Sequence, residues 1–201
     1  MPTPSRPGMR TLIAALLLGA AWLAVLTPSP SHAQDDELGP VYVMQITGPI
    51  DLGLAPYVDR VVAEAEDAGA MAIIVEIDTP GGRVDAVIQM RDALLDADVR
   101  TIALVDSTAY SAGALVAIAS DEIYMTPGAV MGAATPVLGG TGEVADEKTI
   151  SAVRAAFEAA AEENGRNPQI AAAMVDTRIE VEGLVTGEEL LTLTASQAIE
   201  F

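Results

Sequence analysis

The sequence predicts an α/β fold built on a buried, mainly parallel β-sheet. Apolar strand-like segments and amphipathic helical segments alternate at roughly 30-residue spacing, which is typical of right-handed βαβ units. Apolar residues make up 51% of the 201-residue chain and aromatic residues only 3%. This balance suits aliphatic strands packed against alanine-rich helices. The length is sufficient for one domain with a substantial core.

The first half of the folded region contains two strand–helix pairs. Residues 41–50 (VYVMQITGPI) are rich in β-formers and end at a Gly-Pro turn. Residues 55–70 have helical spacing of their apolar positions, with Gly69 at the expected C-cap. Residues 71–82 (MAIIVEIDTPGG) predict a buried strand that enters a Pro-Gly-Gly turn. A second helix follows, and its expected inner side consists of Val84, Val87, Ile88, Ala93 and Leu94.

The next strand and helix are followed by a less regular region. Residues 100–110 (RTIALVDSTAY) predict a strand, and residues 111–120 (SAGALVAIAS) predict a helix. Short strands and turns are expected in residues 122–137. Residues 138–147 (LGGTGEVADE) are Gly-rich and polar, which indicates a mobile loop.

A long helix is expected from about residue 146, with Asn164-Gly165 as its end signal. Residues 181–187 (VEGLVTG) predict a short strand. The chain stops at Phe201, directly after a helix start, and we therefore expect a domain that is truncated at its C-terminus.

Residues 1–33 predict an export signal. Arg6 and Arg10 precede the uncharged apolar run TLIAALLLGAAWLAVL, and Ser31 and Ala33 are placed for cleavage before Gln34. The alternative is an uncleaved anchor, although a full span normally needs about 20 apolar residues. In either case residues 34–201 would form a domain outside the cytoplasm, periplasmic or membrane-associated on the extracytoplasmic side.

The residue inventory excludes several chemistries. The chain has no cysteine, so disulfides, thiolate metal sites and a cysteine nucleophile are impossible. Cleavage of the signal would remove His32, the only histidine, and leave Lys148 as the single lysine. A net charge of −19 repels phosphate backbones, which makes nucleic acid an unsuitable partner.

Two segments could supply the parts of an acyl-transfer site. The glycines of DTPGG (residues 78–82) could point backbone N–H groups at a tetrahedral oxyanion, each worth about 3 kcal/mol. The alternative is an ordinary turn. Ser111 stands at a strand-to-helix junction and could be a nucleophile, although its surroundings do not fit G-x-S-x-G. The alternative is an N-cap serine worth about 1 kcal/mol.

Lys148 is the candidate general base. A lysine near a helix N-terminus is placed against the positive end of the dipole, which would lower its pKa and favour the neutral amine. A neutral amine can accept the proton of a serine hydroxyl. The alternative is a solvated surface lysine.

Five segments together resemble the protease domain of the NfeD family, membrane-associated serine proteases of the ClpP class that are related to signal peptide peptidase A. The resemblance covers about residues 41–198 and lies in the following segments: VYVMQITGPI, IIVEIDTPGG, AYSAGALVAIASD, MGAATPV and NGRNPQIAAAMVD. It implies a ClpP/crotonase-like fold, a Ser–Lys dyad, and homo-oligomers that are commonly dimers. It also implies apolar peptide substrates and a stomatin-like membrane partner. Hydrolysis by such a dyad needs no metal or organic cofactor.

The resemblance also assigns roles to individual residues. Ser111 matches the family nucleophile, and Gly82 and Ala112 match the two oxyanion donors. Lys148 matches the base of many bacterial members, whereas some archaeal members place this lysine near the position of Glu158. Long members continue into transmembrane helices and a small β-barrel.

Peptide hydrolysis through an acyl-enzyme is therefore the expected activity. Two alternatives remain open at this stage. One is an acyl-CoA hydratase or isomerase of the same fold, which would need a CoA site. The other is a non-catalytic scaffold that binds apolar segments of a membrane partner.

Overall fold

The computed structural model describes residues 38–200, and the predicted signal or anchor of residues 1–33 lies outside them. Within this range the strands are β1 (Val41–Thr47), β2 (Ala72–Thr79), β3 (Thr101–Tyr110), β4 (Glu122–Met125), β5 (Val130–Gly132) and β6 (Thr192–Thr194). The helices are α1 (Leu54–Asp67), α2 (Val84–Leu95), α3 (Ala112–Ala119), α4 (Glu147–Glu163), α5 (Pro168–Ala173) and α6 (Ala195–Glu200). None of these helices is long and apolar enough to cross a membrane.

The strands form one mixed sheet in the order β1-β2-β3-β5-β6, with β4 also paired to β3. The pairs β1–β2, β2–β3, β3–β4 and β3–β5 are parallel, and only β5–β6 is antiparallel. The first half of β3 pairs with β4 and its last three residues pair with β5. These findings confirm the predicted α/β class with a mostly parallel sheet.

One face of the sheet is fully buried under the helices. Its residues include Met44 on β1, Val75 on β2 and Val105 on β3, which have no exposed surface. The opposite face is open within residues 38–200, because Val43 on β1 is 54% exposed and Ile74 on β2 is only partly buried. The prediction of a buried sheet therefore holds for one face only.

Helix α3 is buried on all sides. All eight of its residues are apolar or glycine, and all eight are buried. A helix without a polar face is stable only when packed all round. Here α3 packs against the strands β2 and β3 and against the neighbouring helices α2 and α4. It forms a rigid support directly after Ser111.

The C-terminal third differs most from the sequence prediction. Residues 181–187 do not form a strand but a turn, in which the backbone groups of Val181 and Val185 pair with each other at 3.0 Å in both directions. Helix α5 was not predicted from the sequence; Asn167 caps it by accepting a hydrogen bond from the Gln169 amide. Strand β6 was not predicted either, because a strand of three residues is too short to show a clear alternation of apolar and polar positions.

A buried carboxylate, Asp176, ties the segment after α5 to helix α4. Arg178 donates from Nε and Nη2 to its two oxygens at 2.8 and 2.7 Å, and Arg154 on α4 donates to Oδ2. Arg178 also contacts Glu147, in the first turn of α4, at 2.8 Å. The hydrogen bonds from Arg178 hold the pKa of Asp176 well below its usual range, against the opposing effect of burial.

We expect Asp176→Asn to lower the free energy of unfolding by about 2–3 kcal/mol at pH 7, because two guanidinium groups lose their charged acceptor. The folded-state pKa lies below the unfolded value of about 3.9, so this stabilisation is present above that value and is lost as the pH falls further. Denaturant unfolding should show that the difference in free energy of unfolding between wild type and Asp176→Asn is smaller at pH 3 than at pH 7. An equal difference at both pH values would contradict the assignment. Asp85→Asn, which removes an exposed pair with Arg83, is the control and should have little effect.

Candidate active site

Ser111 is held in a strained backbone conformation between β3 and α3. Its φ of 52° and ψ of −116° lie in a region that glycine adopts readily and that a side chain makes costly. The Ser111 amide donates to the Gly132 carbonyl on β5 at 2.8 Å, which fixes the turn to the sheet. This geometry is comparable to the strained strand-to-helix turn of a nucleophile elbow, although the G-x-S-x-G pattern is absent.

The Ser111 hydroxyl is not used to cap α3. The residue occupies the N-cap position, but its side chain accepts no hydrogen bond from the helix. The interpretation of Ser111 as an ordinary N-cap serine therefore lacks the bond that defines a cap. A strained serine without a structural bond is a common sign of a functional side chain.

Gly81 provides the space beside the serine. A Cβ atom on Gly81 would lie 2.6 Å from the Ser111 Cβ and 3.1 Å from its Oγ, so only glycine fits. Gly81 also has a φ of +100°, which favours glycine independently. The predicted Pro-Gly-Gly turn thus meets the predicted serine in space.

Gly82 and Ala112 directly follow Gly81 and Ser111 in the chain, and both line the same cavity as Ser111. Within residues 38–200, neither amide donates to a protein acceptor. Gly82 is pressed against Ile50, whose carbonyl oxygen would lie only 2.0 Å from an added Cβ. The Ala112 amide belongs to the first turn of α3, where N–H groups are left without helical partners. Both amides therefore lack a protein acceptor among the residues described, as an oxyanion donor must.

The loop that carries Gly82 is shaped by Thr79, a residue that sequence analysis missed. Thr79 is completely buried at the end of β2. Its hydroxyl donates to the Gly48 carbonyl at 2.6 Å and accepts from the Gly81 amide at 3.0 Å. The sequence offered one signal for this role, a threonine directly before Pro-Gly-Gly. A hydroxyl at such a position is common and does not by itself indicate a site.

A small cavity of about 60 Å³ opens beside Ser111, Gly82 and Ala112. Its walls are aliphatic and aromatic, and include Leu115 of α3 and Phe157 of α4. The structure therefore brings three of the four predicted site residues together at one apolar cavity.

Lys148, the fourth predicted site residue, is not part of this cavity. It is the second residue of α4 and is exposed to solvent. Val153 and Phe157 of the same helix face the cavity, and Lys148 is five residues before Val153. At about 100° per residue, the Lys148 side chain points about 140° away from that of Val153.

The two acidic residues before Lys148 are engaged elsewhere. Asp146 caps α4 by accepting from the Thr149 amide at 2.8 Å, and Glu147 pairs with Arg178. Within the described residues, Lys148 itself forms no ion pair.

Glu158, where some archaeal relatives are expected to have the base lysine, also lies away from the cavity. It lines a separate, open groove together with Arg178 and Glu180. No group of three or more potential metal ligands occurs in the described part of the chain.

The fold and site define the chain as a ClpP-like α/β domain. The solved structure of a serine-to-alanine mutant of the 1510-N membrane-bound stomatin-specific protease superimposes with a TM-score of 0.70 at 32% identity. The match covers 82% of this chain and 77% of that structure. A lysine-to-alanine mutant of the same protease in complex with a substrate peptide matches equally, over 73% of its length.

The chain belongs to the NfeD1b family, whose N-terminal domain matches residues 40–201. It is 39% identical over 188 residues to the membrane protein NfeD1b of Bacillus subtilis and 34% identical over 168 residues to the membrane-bound protease PH1510 of Pyrococcus horikoshii. The matches cover 92% and 80% of this chain. They cover only 42% and 35% of those proteins, so the chain spans less than half the length of these curated relatives.

We expect Ser111→Gly to raise the free energy of unfolding by about 1 kcal/mol. Relief of a strained backbone is worth about 1–3 kcal/mol, and the entropy cost of a glycine offsets about 0.5–1 kcal/mol of this gain. Ser111→Ala is the matched control, since it removes the hydroxyl and keeps the strain. Denaturant unfolding should therefore give a higher free energy of unfolding for Ser111→Gly than for Ser111→Ala. Equal stabilities of the two variants would show that the backbone of Ser111 is not strained.

Proposed function

We propose that this chain is the protease domain of a membrane-associated serine endopeptidase that cleaves apolar peptide segments through Ser111 and Lys148. The observation that carries the proposal is the strained Ser111 beside two backbone amides without acceptors. The protease activity of PH1510 and the substrate peptide bound to its lysine-to-alanine mutant support the same chemistry.

The proposed reaction proceeds through an acyl-enzyme. The neutral amine of Lys148 takes the Ser111 proton while Oγ bonds to the peptide carbonyl carbon, and the Gly82 and Ala112 amides donate to the resulting oxyanion. The C–N bond then breaks, and Lys148 gives its proton to the leaving amine. Lys148 next removes a proton from water, whose hydroxide attacks the ester. Collapse of this second intermediate releases the acid and returns the proton to Ser111.

This mechanism requires the first turn of α4 to move relative to the described arrangement. Lys148 must turn toward Ser111 when substrate is bound, and catalytic hydrogen bonds in unliganded enzymes often tighten only in the substrate complex. The preceding segment is suited to such a movement, because Val137 and Val144 form a single β-bridge and both side chains are more than half exposed. Such a movement of α4 would either break the ion pair between Glu147 and Arg178 or displace Arg178 together with Glu147.

The surroundings of the reaction are part of the same proposal. Cleavage of residues 1–33, or their retention as an anchor, would place residues 34–201 on the extracytoplasmic side of the membrane. The relatives named as membrane proteins support membrane association. A stomatin-like protein is the proposed partner, since the solved relative is specific for a stomatin homologue. We also propose a homo-oligomer, most simply a dimer, that works without a cofactor.

The proposal predicts that Lys148→Arg is as inactive as Lys148→Ala. Arginine keeps the positive charge and length but does not deprotonate in proteins, so it cannot act as the base. Cleavage of an apolar fluorogenic peptide should fall at least 100-fold in both variants. Arg60→Lys on α1, exposed and outside the site, is the control and should retain wild-type cleavage. Retained activity in Lys148→Arg would sink the assignment of Lys148 as base.

A second measurement separates the enzyme from a non-catalytic scaffold. A fluorophosphonate should label wild-type protein at Ser111 and should not label Ser111→Ala, because phosphonylation needs a nucleophilic oxygen next to oxyanion donors. A scaffold would bind the apolar peptide without labelling. Peptide binding with no label in the wild type would therefore favour the scaffold.

A further inference from the structure

The two proposed oxyanion donors belong to different segments of the chain. Gly82 lies in the loop between β2 and α2, whereas Ala112 is the first residue of α3. One oxyanion can accept hydrogen bonds from both amides only if each nitrogen lies about 2.7–3.1 Å from it. The loop after β2 must therefore be fixed relative to the first turn of α3, and the structure contains a side chain that contacts both.

Thr79 holds the loop after β2 through its hydroxyl group. This hydroxyl donates to the Gly48 carbonyl at 2.6 Å and accepts from the amide of Gly81, the residue directly before Gly82, at 3.0 Å. The Thr79 side chain is completely buried, so water does not compensate for a lost bond. The amide of Ile50 also holds the loop, by donating to the Gly81 carbonyl at 2.9 Å.

The methyl group of Thr79 packs against the other donor segment. A Cβ atom added to Gly113 would lie only 2.4 Å from Cγ2 of Thr79, which is too close for two carbon atoms. The next nearest atoms, on Ile77 and Ala109, would lie at ordinary contact distances of 3.7 Å. The Thr79 methyl therefore occupies the place where a side chain of residue 113 would begin. That place is in the first turn of α3, one residue after Ala112.

The two contacts of Thr79 depend on one torsion angle. The hydroxyl and the methyl of a threonine are attached to the same Cβ atom, so rotation about the Cα–Cβ bond moves both together. The two hydrogen bonds of the hydroxyl fix this rotation and thereby fix the methyl against Gly113. Serine lacks the methyl and valine lacks the hydroxyl, so threonine is the side chain that can make both contacts.

We propose that Thr79 is a positioning residue that sets the spacing of the two oxyanion donors, Gly82 and Ala112. This inference rests on the proposed protease function and adds a residue that acts on the reaction only through these amides, since Thr79 does not line the cavity beside Ser111. A purely structural threonine would contribute to stability alone. A positioning threonine contributes to the transition state, in which negative charge develops on the carbonyl oxygen.

The first arm of the test removes the hydroxyl and keeps the shape of the side chain. We expect Thr79→Val to lower kcat for an apolar fluorogenic peptide, and the rate of fluorophosphonate labelling, by about 10–100-fold, because displaced donors no longer meet the oxyanion. KM should change by less than about threefold, because the loss occurs in the transition state. Thr79→Ser keeps the hydroxyl and should recover most of the activity lost in Thr79→Val.

Thr101→Val is the matched control for a structural role. Thr101 is also completely buried, and its hydroxyl also donates one hydrogen bond and accepts one, both with Asp121, at 3.0 and 2.9 Å. It begins β3 and therefore lies at the opposite end of that strand from Ser111. Thr101→Val should lose thermal stability and retain the wild-type kcat.

The second arm moves one methyl group across the contact. Gly113→Ala alone places a Cβ atom against the Thr79 methyl and should lower kcat. Thr79→Ser alone leaves a gap at the same place and should lower kcat by a smaller factor. The double variant, Thr79→Ser with Gly113→Ala, again has one methyl in that place. Its kcat should therefore exceed that of Gly113→Ala about tenfold, as residues in direct contact are expected to be coupled.

Circular dichroism melts verify that each variant is folded at the assay temperature. A wild-type kcat in folded Thr79→Val, a loss confined to KM, or a double variant no better than Gly113→Ala would overturn the positioning role and leave the proposed protease function intact. No cleavage and no labelling in the wild type would overturn both. If Thr79→Val does not fold, the comparison of the double variant with its two single variants decides the question.

Discussion

The backbone at Ser111 is the constraint around which the rest of the site is arranged. A serine in a glycine-type conformation persists only when its surroundings hold it there. Three features do so. The Ser111 amide is bonded to Gly132 on β5, the fully buried α3 begins at the next residue, and Gly81 leaves the space that the side chain needs. Each feature comes from a different segment, so the conformation is a product of the whole sheet.

The pairing of β2 and β3 contributes to this arrangement. Between the paired residues Ile77–Val105 and Thr79–Ala109, β2 has one residue and β3 has three. This irregularity is a β-bulge, and it changes the direction of the end of β3, as bulges near active sites commonly do. Gly82 and Ala112, the proposed oxyanion donors, follow the C-terminal ends of these two neighbouring parallel strands. That edge of a parallel sheet is where α/β proteins generally place their sites.

The sequence predicts most of this site because its signals are local. A serine at a strand–helix junction and a Pro-Gly-Gly turn after a buried strand are visible within a few residues each. Two other features depend on distant segments and could not be predicted. Asp176 is distinguished from 28 other acidic residues only by its burial between Arg154 and Arg178. Phe157 is an ordinary apolar helix residue until α4 is placed against Ser111.

Lys148 is the predicted site residue for which the sequence argument and the structure differ. Elimination in the sequence leaves Lys148 as the only amine of residues 34–201, besides the N-terminus, that could serve as base, and that argument is independent of geometry. The described structure places its side chain on the opposite side of α4 from the cavity. Lys148 can act as the proposed base only if the start of α4 has a second arrangement in the active state. Glu147 and Arg178 would then hold the inactive arrangement, because their ion pair fixes the first turn of α4 to the segment that contains Asp176.

Under the proposed mechanism, one helix carries both the base and part of the cavity wall. Val153 and Phe157 of α4 line the cavity beside Ser111, and Lys148 lies five residues before Val153. A helix transmits a displacement along its length because each turn is bonded to the next. A movement of α4 that brings Lys148 toward Ser111 would therefore also change the shape of the cavity, so that base placement and cavity shape are coupled.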